Sequence, residues 1–498
     1  MSTVDEDLSV ARTFSTHNPA TGEVVGTYPV HGADDVDAAV AQARRAAGWW
    51  RGLGFDGRAR RLRAFKAMLA KRQDELCDLI HRETGKPFDD ARIELILAID
   101  HLDWGARNAH KVLGRRRTRP SRYYLNHRAS LEYLPMGVVG VIGPWNYPLH
   151  TPMGSITSAL AAGNAVLFKP SEYTPACGEW IVDTFNEVVA EYPVMQLLTG
   201  DGSAGAALSR AKIDMLAFAG SAATGRKVMA ACAESLTKVL MECGGNDAMV
   251  VAADADLDAA AAAAVWGGCS NAGQTCAGVE RVYVEAAVYD AFVAKAVEAA
   301  RQLKAGREDG DAFGPITLPS QIDIIEDHLL EALERGATAV VGGRESIRRP
   351  FVDPVVLVDV PEDTRLMRQE TFGPLLPIVK VADLAEAVRR TNDTLYGLSA
   401  AVYAGEDAMS IARQLDVGMV SVNSVLTYAA VPSLPFGGRG ESGFGRIHGE
   451  DGLREFSRPR AMTVKRFHVP ADAARFDRHP RLLSLMASAT RLIHGKST

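Results

Sequence analysis

Between residues 138 and 251 short apolar runs alternate with stretches of helical spacing, and this alternation limits the fold more than any other feature of the chain. Parallel strands covered on both faces read as near-continuous apolar runs, and each needs a crossover, usually a helix, before the next strand can pair. The runs at 138–142, 165–168, 196–198, 215–219 and 238–241 therefore predict strands, with helices near 153–162, 177–189, 204–209 and 225–233 between them. The expected class is α/β, with a parallel sheet under helices. A second α/β run begins at Asp254, where short acids can cap a helix over 259–265. Its later strands are expected at 282–284, 339–341, 355–358, 376–379 and 419–422. Residues 35–113 read mostly helical, from Val36, Ala39, Val40 and Ala43 to Leu62, Phe65, Met68, Leu69, Leu76 and Leu79, with a break at 52–57. After Gly114, the arginines 115–117, 119 and 122 mix with Tyr123, Tyr124 and Leu125, and an apolar run follows at 131–134. An extended connector or hairpin is expected there.

The 498 residues suit two large units plus that connector. The formal charge is −6, and residues 458–498 hold nine Lys and Arg against two Asp, so the body is the acidic part. That balance argues against a nucleic-acid partner. The first ten residues carry three acids and no apolar core, so neither a secretory nor a transit signal is expected. No apolar run is long enough to span a membrane. Cys77, Cys177, Cys232, Cys243, Cys269 and Cys276 show no CxxC pair, which predicts reduced thiols in a cytoplasmic setting, with neither a disulfide framework nor a metal site. The tail, 471–498, sets Leu482, Leu483, Leu485, Met486, Ala489, Leu492 and Ile493 among Arg481, Arg491 and Lys496. A helix docked on the body or on a neighbouring subunit is the commoner use of such a pattern; the other is contact with an anionic membrane surface.

Three places carry chemistry. The stretch GSAATGRK at 220–227 nearly matches a phosphate loop, but no Ser or Thr follows Lys227 to hold magnesium, so a kinase or ATPase reading is poor. It still sets Gly220, Ser221 and Gly225 at a strand-to-helix turn, where free amides and the helix dipole favour a pyrophosphate. The stretch GQTCAG at 273–278 places Cys276 in a small-residue turn. Most free cysteines are apolar filler; what singles this one out is Glu242, at the end of one predicted strand, and Asn146, at the end of another. Ligands in open α/β sheets bind at the carboxyl ends of the strands, so groups distant in sequence can converge there.

Seven motifs in order, PWNYP at 144–148, GNAVLFKPSE at 163–172, FAGSAATG at 218–225, MECGGND at 241–247, GQTCAG at 273–278, ETFGP at 370–374 and PFGGRGESGFGR at 435–446, resemble those of the NAD(P)-dependent aldehyde dehydrogenase superfamily. The resemblance spans roughly residues 14–468. It implies a Rossmann-like cofactor domain (1–115 and 136–243), an α/β catalytic domain (244–445) and a β-arm for oligomerisation (116–135 with 457–470), hence a homodimer or homotetramer. It implies Cys276 as nucleophile, Asn146 as oxyanion donor and Glu242 as general base in the oxidation of a small-molecule aldehyde to the acid. For the cofactor it implies Lys169 and Glu172 at the adenosine ribose, Ser171, Gly220, Ser221, Gly225 and Gly244 around the phosphates, Glu370 at the nicotinamide ribose, and Ile142, Pro144, Trp145 and Phe372 as walls. A carboxylate such as Glu172 accepts ribose hydroxyls and repels a 2′-phosphate, so NAD is expected over NADP.

Two departures bear on substrate. Ser155 stands where many relatives have Lys, and Gly154 where enzymes for small aldehydes often place a bulky aromatic, which implies a wide entrance. A medium or large apolar aldehyde, aliphatic or aromatic, follows, with Tyr147, Thr151, Tyr428 and Phe436 as tunnel walls. Glu280 and Arg281 read as surface or interface residues. The competing readings are a semialdehyde dehydrogenase, such as one for succinate semialdehyde, a CoA-acylating relative, which generally lacks the Glu242 base, and a dinucleotide-binding relative without turnover.

Overall fold

The five apolar runs of the first α/β stretch all become neighbours in one sheet. In order across it lie Gly443–Phe444, Lys238–Cys243, Met215–Gly220, Val138–Ile142, Ala165–Lys169 and Met195–Leu197, all parallel except the first. The coordinates are those of a computed structural model, which describes residues 12–308, 310–468, 476–477 and 480–495. The central strands Val138–Ile142 and Ala165–Lys169 are buried at every position, which explains why they read as unbroken apolar runs. The expected helices form at His150–Ala162, Pro175–Val188, Gly202–Arg210 and Ala222–Ala233.

The second sheet has seven strands, in the order Thr338–Val341, Val355–Val358, Leu375–Val381, Val279–Glu285, Asp247–Val251, Ser399–Tyr403 and Met419–Val422. Only the Thr338–Val341 edge runs antiparallel. The strands Asp247–Val251 and Ser399–Tyr403 were not foreseen, yet they pair with each other in the middle of the sheet. The first follows a Gly-Gly-Asn turn too closely to read as a separate run, and the second begins Ser-Ala-Ala, with little β character. Tertiary contacts supply what propensity does not: Asp247 accepts from the Ser399 amide and hydroxyl, both at 2.9 Å. The helix expected over 259–265 spans Leu257–Cys269, and its cap is Asp256, which accepts from the amides of Asp258 and Ala259. Asp254 instead receives the Gly405 amide.

The helical segment resolves into Ala33–Gly52, Gly54–Lys71, Gln73–Thr84 and Phe88–Leu113, so the expected break narrows to Leu53. Ala33–Gly52 packs directly on the first sheet, and the other three cover the His150–Ala162 and Pro175–Val188 helices. Trp50 is fully buried there, and its indole donates to the Leu160 carbonyl at 2.8 Å.

The extended connector is an antiparallel sheet of Arg116–Thr118, His127–Pro135 and Ser457–Lys465, in register from Ser457 opposite Pro135 to Lys465 opposite His127. The strand Gly443–Phe444 places Gly443 opposite Glu242, so the second unit hands the chain back to the first sheet before the arm. Of the tail, 471–475, 478–479 and 496–498 lie outside the described residues. The helix Pro480–His494 has no buried residue, and Thr490 bonds the Tyr123 hydroxyl of the connector at 2.7 Å. Among the described residues no helix is long and apolar enough to cross a membrane.

Replacing Trp50 by Phe keeps most of the apolar contact and removes one buried hydrogen bond. Equilibrium unfolding in urea should show a loss of about 1–2 kcal/mol.

Candidate active site

Two neighbouring strands of the first sheet, Val138–Ile142 and Met215–Gly220, send the chain off in opposite directions along the sheet. Their carboxyl ends therefore bound a crevice at the topological switch point, the place where open α/β sheets bind ligands. A cleft of about 810 Å³ opens there. Its lining takes in Asn146, Glu242 and Cys276, the three expected chemical groups, together with Ile142, Pro144, Trp145, Lys169, Ser171, Glu172, Gly220, Ser221, Gly244, Glu370 and Phe372. Sequence reasoning had not singled out Gly202, Gly205, Ala206 and Arg210, which close the cleft from a single helix.

One end of the cleft is polar and partly open. Lys169 is buried, its ammonium 3.5 Å from Glu172 and 3.0 Å from the Pro170 carbonyl, and burial lowers its pKa against the Glu172 charge. Ser221 caps the Ala222–Ala233 helix by accepting from the Thr224 amide, which sets a helix N-terminus at the cleft wall. Gly225 does not line the cleft. It brings helix and strand together: a Cβ there would sit 3.3 Å from the Cys243 sulfur. At the other end Trp145 and Phe372 meet edge to face at 5.5 Å. Glu370 receives the Gly245 amide at 3.2 Å, and a Cβ on Gly244 would come within 1.8 Å of its carboxylate. Only glycine fits beneath that acid.

The loop carrying Cys276 is held in an unusual shape. Asn271, Ala272 and Gly273 are all left-handed, with φ of 53°, 58° and 73°, and a Cβ on Gly273 would lie 2.2 Å from the backbone of Gly373. Gln274 pins this loop from within, donating to the carbonyls of Asn271 and Pro315 and accepting from the Thr317 amide at 2.8 Å. The thiol of Cys276 is pushed well above its ordinary pKa by burial and by the nearby charges of Glu242, Glu370 and Asp247. Burial likewise raises the Glu242 carboxyl to about 8, and its Oε1 is buried without a hydrogen-bond partner. An acid near pH 8 with a free oxygen is poised to take a proton.

Asn146 reaches the same cleft from the other side. Its side-chain amide donates one hydrogen to the Gln274 carbonyl at 3.0 Å, which leaves the second hydrogen of that nitrogen available. Its backbone carbonyl receives the Lys86 ammonium at 2.9 Å and the Asn271 amide group at 3.2 Å. Lys86 in turn pairs with Glu94 at 2.7 Å, both fully buried, and Glu94 takes the amides of Leu149 and His150 at 2.8 and 3.0 Å.

The chain matches the model described as "Aldehyde dehydrogenase family" over residues 7–462. It is 39% identical to a 4,4'-diapolycopene aldehyde oxidase of Methylomonas sp, covering 92% of this chain and 87% of that one. It is 35% identical to a glutarate-semialdehyde dehydrogenase of Pseudomonas aeruginosa, covering 90% and 94%. An NAD-dependent aldehyde dehydrogenase from Sinorhizobium meliloti superposes with a TM-score of 0.88 at 31% identity, covering 93% of each chain. The chain belongs to the aldehyde dehydrogenase family. It is accordingly an oxidoreductase acting on aldehydes.

Several expectations change once this aldehyde dehydrogenase is seen folded. Glu280 and Arg281 are not surface residues. Both are buried: Glu280 accepts from the amides of Thr371 and Phe372 at 2.8–3.0 Å and from Asn246 at 3.2 Å, and Arg281 donates to the Asn246 carbonyl at 2.6 Å. Glu280 ties down the loop that presents Glu370, and both residues sit on Val279–Glu285, a strand buried at every position but the last. The space at Gly154 is not an open entrance either, since a Cβ there would lie 2.5 Å from the ring of His448, which fills it. Of the four expected tunnel residues only Thr151 lines the cleft. Tyr147 is bonded to Thr275 at 3.0 Å, Tyr428 to Ser399 at 2.6 Å, and Phe436 packs on Tyr428 in the core cluster against which Cys276 rests.

Lys86 and Glu94 were missed altogether, because a Lys and a Glu flanking a helix start usually mark solvent. Lys86→Met should strand the Glu94 charge in the core and cost roughly 3–5 kcal/mol of stability in chemical denaturation.

Proposed function

We propose that this enzyme oxidises an apolar aldehyde of medium or large size to its carboxylic acid by hydrolytic chemistry, with NAD as the favoured acceptor. The observation that carries the reading is the meeting of Cys276, Glu242 and Asn146 in one cleft, with Glu242 buried, raised to about 8 and lacking a partner at Oε1. The remainder of the cleft fits a dinucleotide: a helix N-terminus at Ser221, a carboxylate and an ammonium at Glu172 and Lys169, Glu370 seated over Gly244, and the Trp145–Phe372 ring pair. Ile142, Pro144, Ser171 and Gly220 complete that lining. When bound, NAD accepts the hydride that leaves the substrate carbon.

The residues perform the remaining steps. Cys276 Sγ bonds to the aldehyde carbon, and its proton passes to Glu242 or to solvent, since the buried thiol does not ionise by itself. The free hydrogen on the Asn146 side-chain nitrogen stabilises the oxyanion. Loss of hydride leaves a thioester on Cys276. Glu242, after giving up to solvent any proton it took from the thiol, takes a proton from water, the hydroxide adds to the thioester carbon, and the C–S bond breaks to release acid and thiolate. Arg281 is committed to the Asn246 carbonyl and Arg439 to the Asp416 carbonyl, and neither lines the cleft. That favours an apolar aldehyde over a semialdehyde carrying a carboxylate. All six cysteines are free, in keeping with a reducing, cytoplasmic setting. The arm, with its exposed Ser457–Lys465 strand, suits pairing with a second copy in a homodimer or homotetramer.

NADH formation with hexanal, benzaldehyde and acetaldehyde, in the presence and absence of CoA, tests the reading. Hexanal or benzaldehyde should exceed acetaldehyde in kcat/KM without any need for CoA, and greater turnover of a semialdehyde such as succinate semialdehyde would favour the alternative. Cys276→Ala should form no NADH. Asn146→Ala should lose about 100- to 1,000-fold in kcat, the usual cost of one oxyanion donor. Glu242→Gln should give one burst of NADH and then stall as the acyl-enzyme.

In the wild type, protonated Glu242 cannot act as a base, so the deacylation rate should climb as pH rises through about 8 and then level off. For the cofactor, Glu172→Ser should raise the NADP-to-NAD ratio of kcat/KM at least about tenfold by removing the repulsion of a 2′-phosphate.

A further inference from the structure

His101, His150 and His448 come from three distant parts of the chain and meet in one cluster, each offering a ring nitrogen within 4.8 Å of the others. His101 lies within the Phe88–Leu113 helix, His150 opens the His150–Ala162 helix, and His448 precedes the Gly449–Glu455 helix. The rings are packed together, with centroids 3.7 Å apart for His101 and His448, 5.3 Å for His101 and His150, and 5.5 Å for His150 and His448.

Their nitrogens are not used by the protein. Both nitrogens of His448 and Nε2 of His150 are buried without a hydrogen-bond partner, although buried polar atoms ordinarily have one. His101 is the exception that fits: its Nε2 lies 2.9 Å from the Ala429 carbonyl, so a proton there leaves Nδ1 with a free lone pair. A histidine that holds a metal is typically oriented by such a bond from its other nitrogen to a carbonyl. The adjacent Lys86 charge is balanced by Glu94 at 2.7 Å.

Two local departures serve the cluster. His448 adopts a positive φ of 62° with ψ 167°, a backbone conformation that a non-glycine residue rarely takes. Gly154 leaves out the Cβ that would collide with the His448 ring at 2.5 Å.

We propose that this cluster is a binding site for one divalent cation of the zinc class, held by His101 Nδ1, His150 Nε2 and one ring nitrogen of His448. An all-imidazole set selects zinc, cobalt, nickel or copper over magnesium and calcium. A tetrahedral ion holds its nitrogen ligands about 3.3 Å apart, so nitrogens that now lie up to 4.8 Å apart must close by at most about 1.5 Å, a change within reach of side-chain rotation. The ion would clamp three helices behind the apolar wall at Cys276, for Phe436 lies 5.9 Å from His448 and 6.2 Å from Tyr428. It touches no reacting atom.

The test is cobalt titration of the full-length, chelator-dialysed protein carrying Cys276→Ser, so that the cleft thiolate contributes no signal. The expected result is saturable uptake of one cobalt per chain, with the visible absorption of a tetrahedral ion and a rise in Tm. His448→Gln and His101→Gln should each lose both the band and the Tm shift; the second leaves the strained position 448 untouched and guards against misfolding of the first. No tetrahedral band in the parent protein, or an equal band in the parent and both variants, overturns the proposal. Because the readout is metal uptake, it stands or falls separately from the aldehyde chemistry.

Discussion

A single buried ion pair holds together the parts of this enzyme that must meet. Lys86 and Glu94 lie fully inside the protein at 2.7 Å, where removing two charges from water is costly unless every lone pair and proton finds a partner. Here they do. Lys86 also grips the Asn146 carbonyl, and Glu94 collects the amides of Leu149 and His150. The pair thus fixes the turn between the Val138–Ile142 strand and the helix after it, and with that turn the direction of the Asn146 side chain. Asn146 and Asn271 then join this turn to the loop of Cys276. The helices before residue 115 and the loop at 276 belong to different units of the fold, and this network is the path by which one positions the other.

The second organising fact is the concentration of acids in a dry place. Glu242, Asp247, Glu280 and Glu370 are all raised by burial, and the last three also raise one another or their neighbours. Three of them are anchored by amide donors: Asp247 by Ser399, Glu280 by Thr371 and Phe372, Glu370 by Gly245. Glu242 alone keeps an oxygen without a partner. An unmet buried acceptor is unfavourable in the resting fold, and it is the kind of feature that marks chemistry rather than architecture. The high thiol pKa of Cys276 follows first from burial and then from Glu242, Glu370 and Asp247.

Much of this was legible beforehand. The first sheet could be read from its apolar runs because its strands are buried on both faces, so that sequence and environment carry the same pattern. Cys276, Glu242 and Asn146 could be singled out from a small-residue turn and from their places at strand ends, whereas Gly244 and Glu370 were expected only through the resemblance of their motifs to the family. Side chains that act through tertiary partners were less visible. Glu280 and Arg281 resembled surface charges, since nothing local reveals that Thr371, Phe372 and Asn246 will surround them. Tyr147, Tyr428 and Phe436 were assigned to a tunnel on type alone, and the fold packs them behind Cys276.

What the sequence determined by itself was the class of fold, the strands of the first sheet and the three chemical groups of the cleft, because those depend on local periodicity, on turn chemistry and on residue types with few alternatives. Only the tertiary structure decided how those groups are supported. The Lys86–Glu94 pair, the left-handed turn at 271–273, the filling of the Gly154 space by His448 and the gathering of three histidines all join segments far apart in the chain. Their energies arise from burial and from partners that no local pattern encodes, and they come into being only when the sheets close around them.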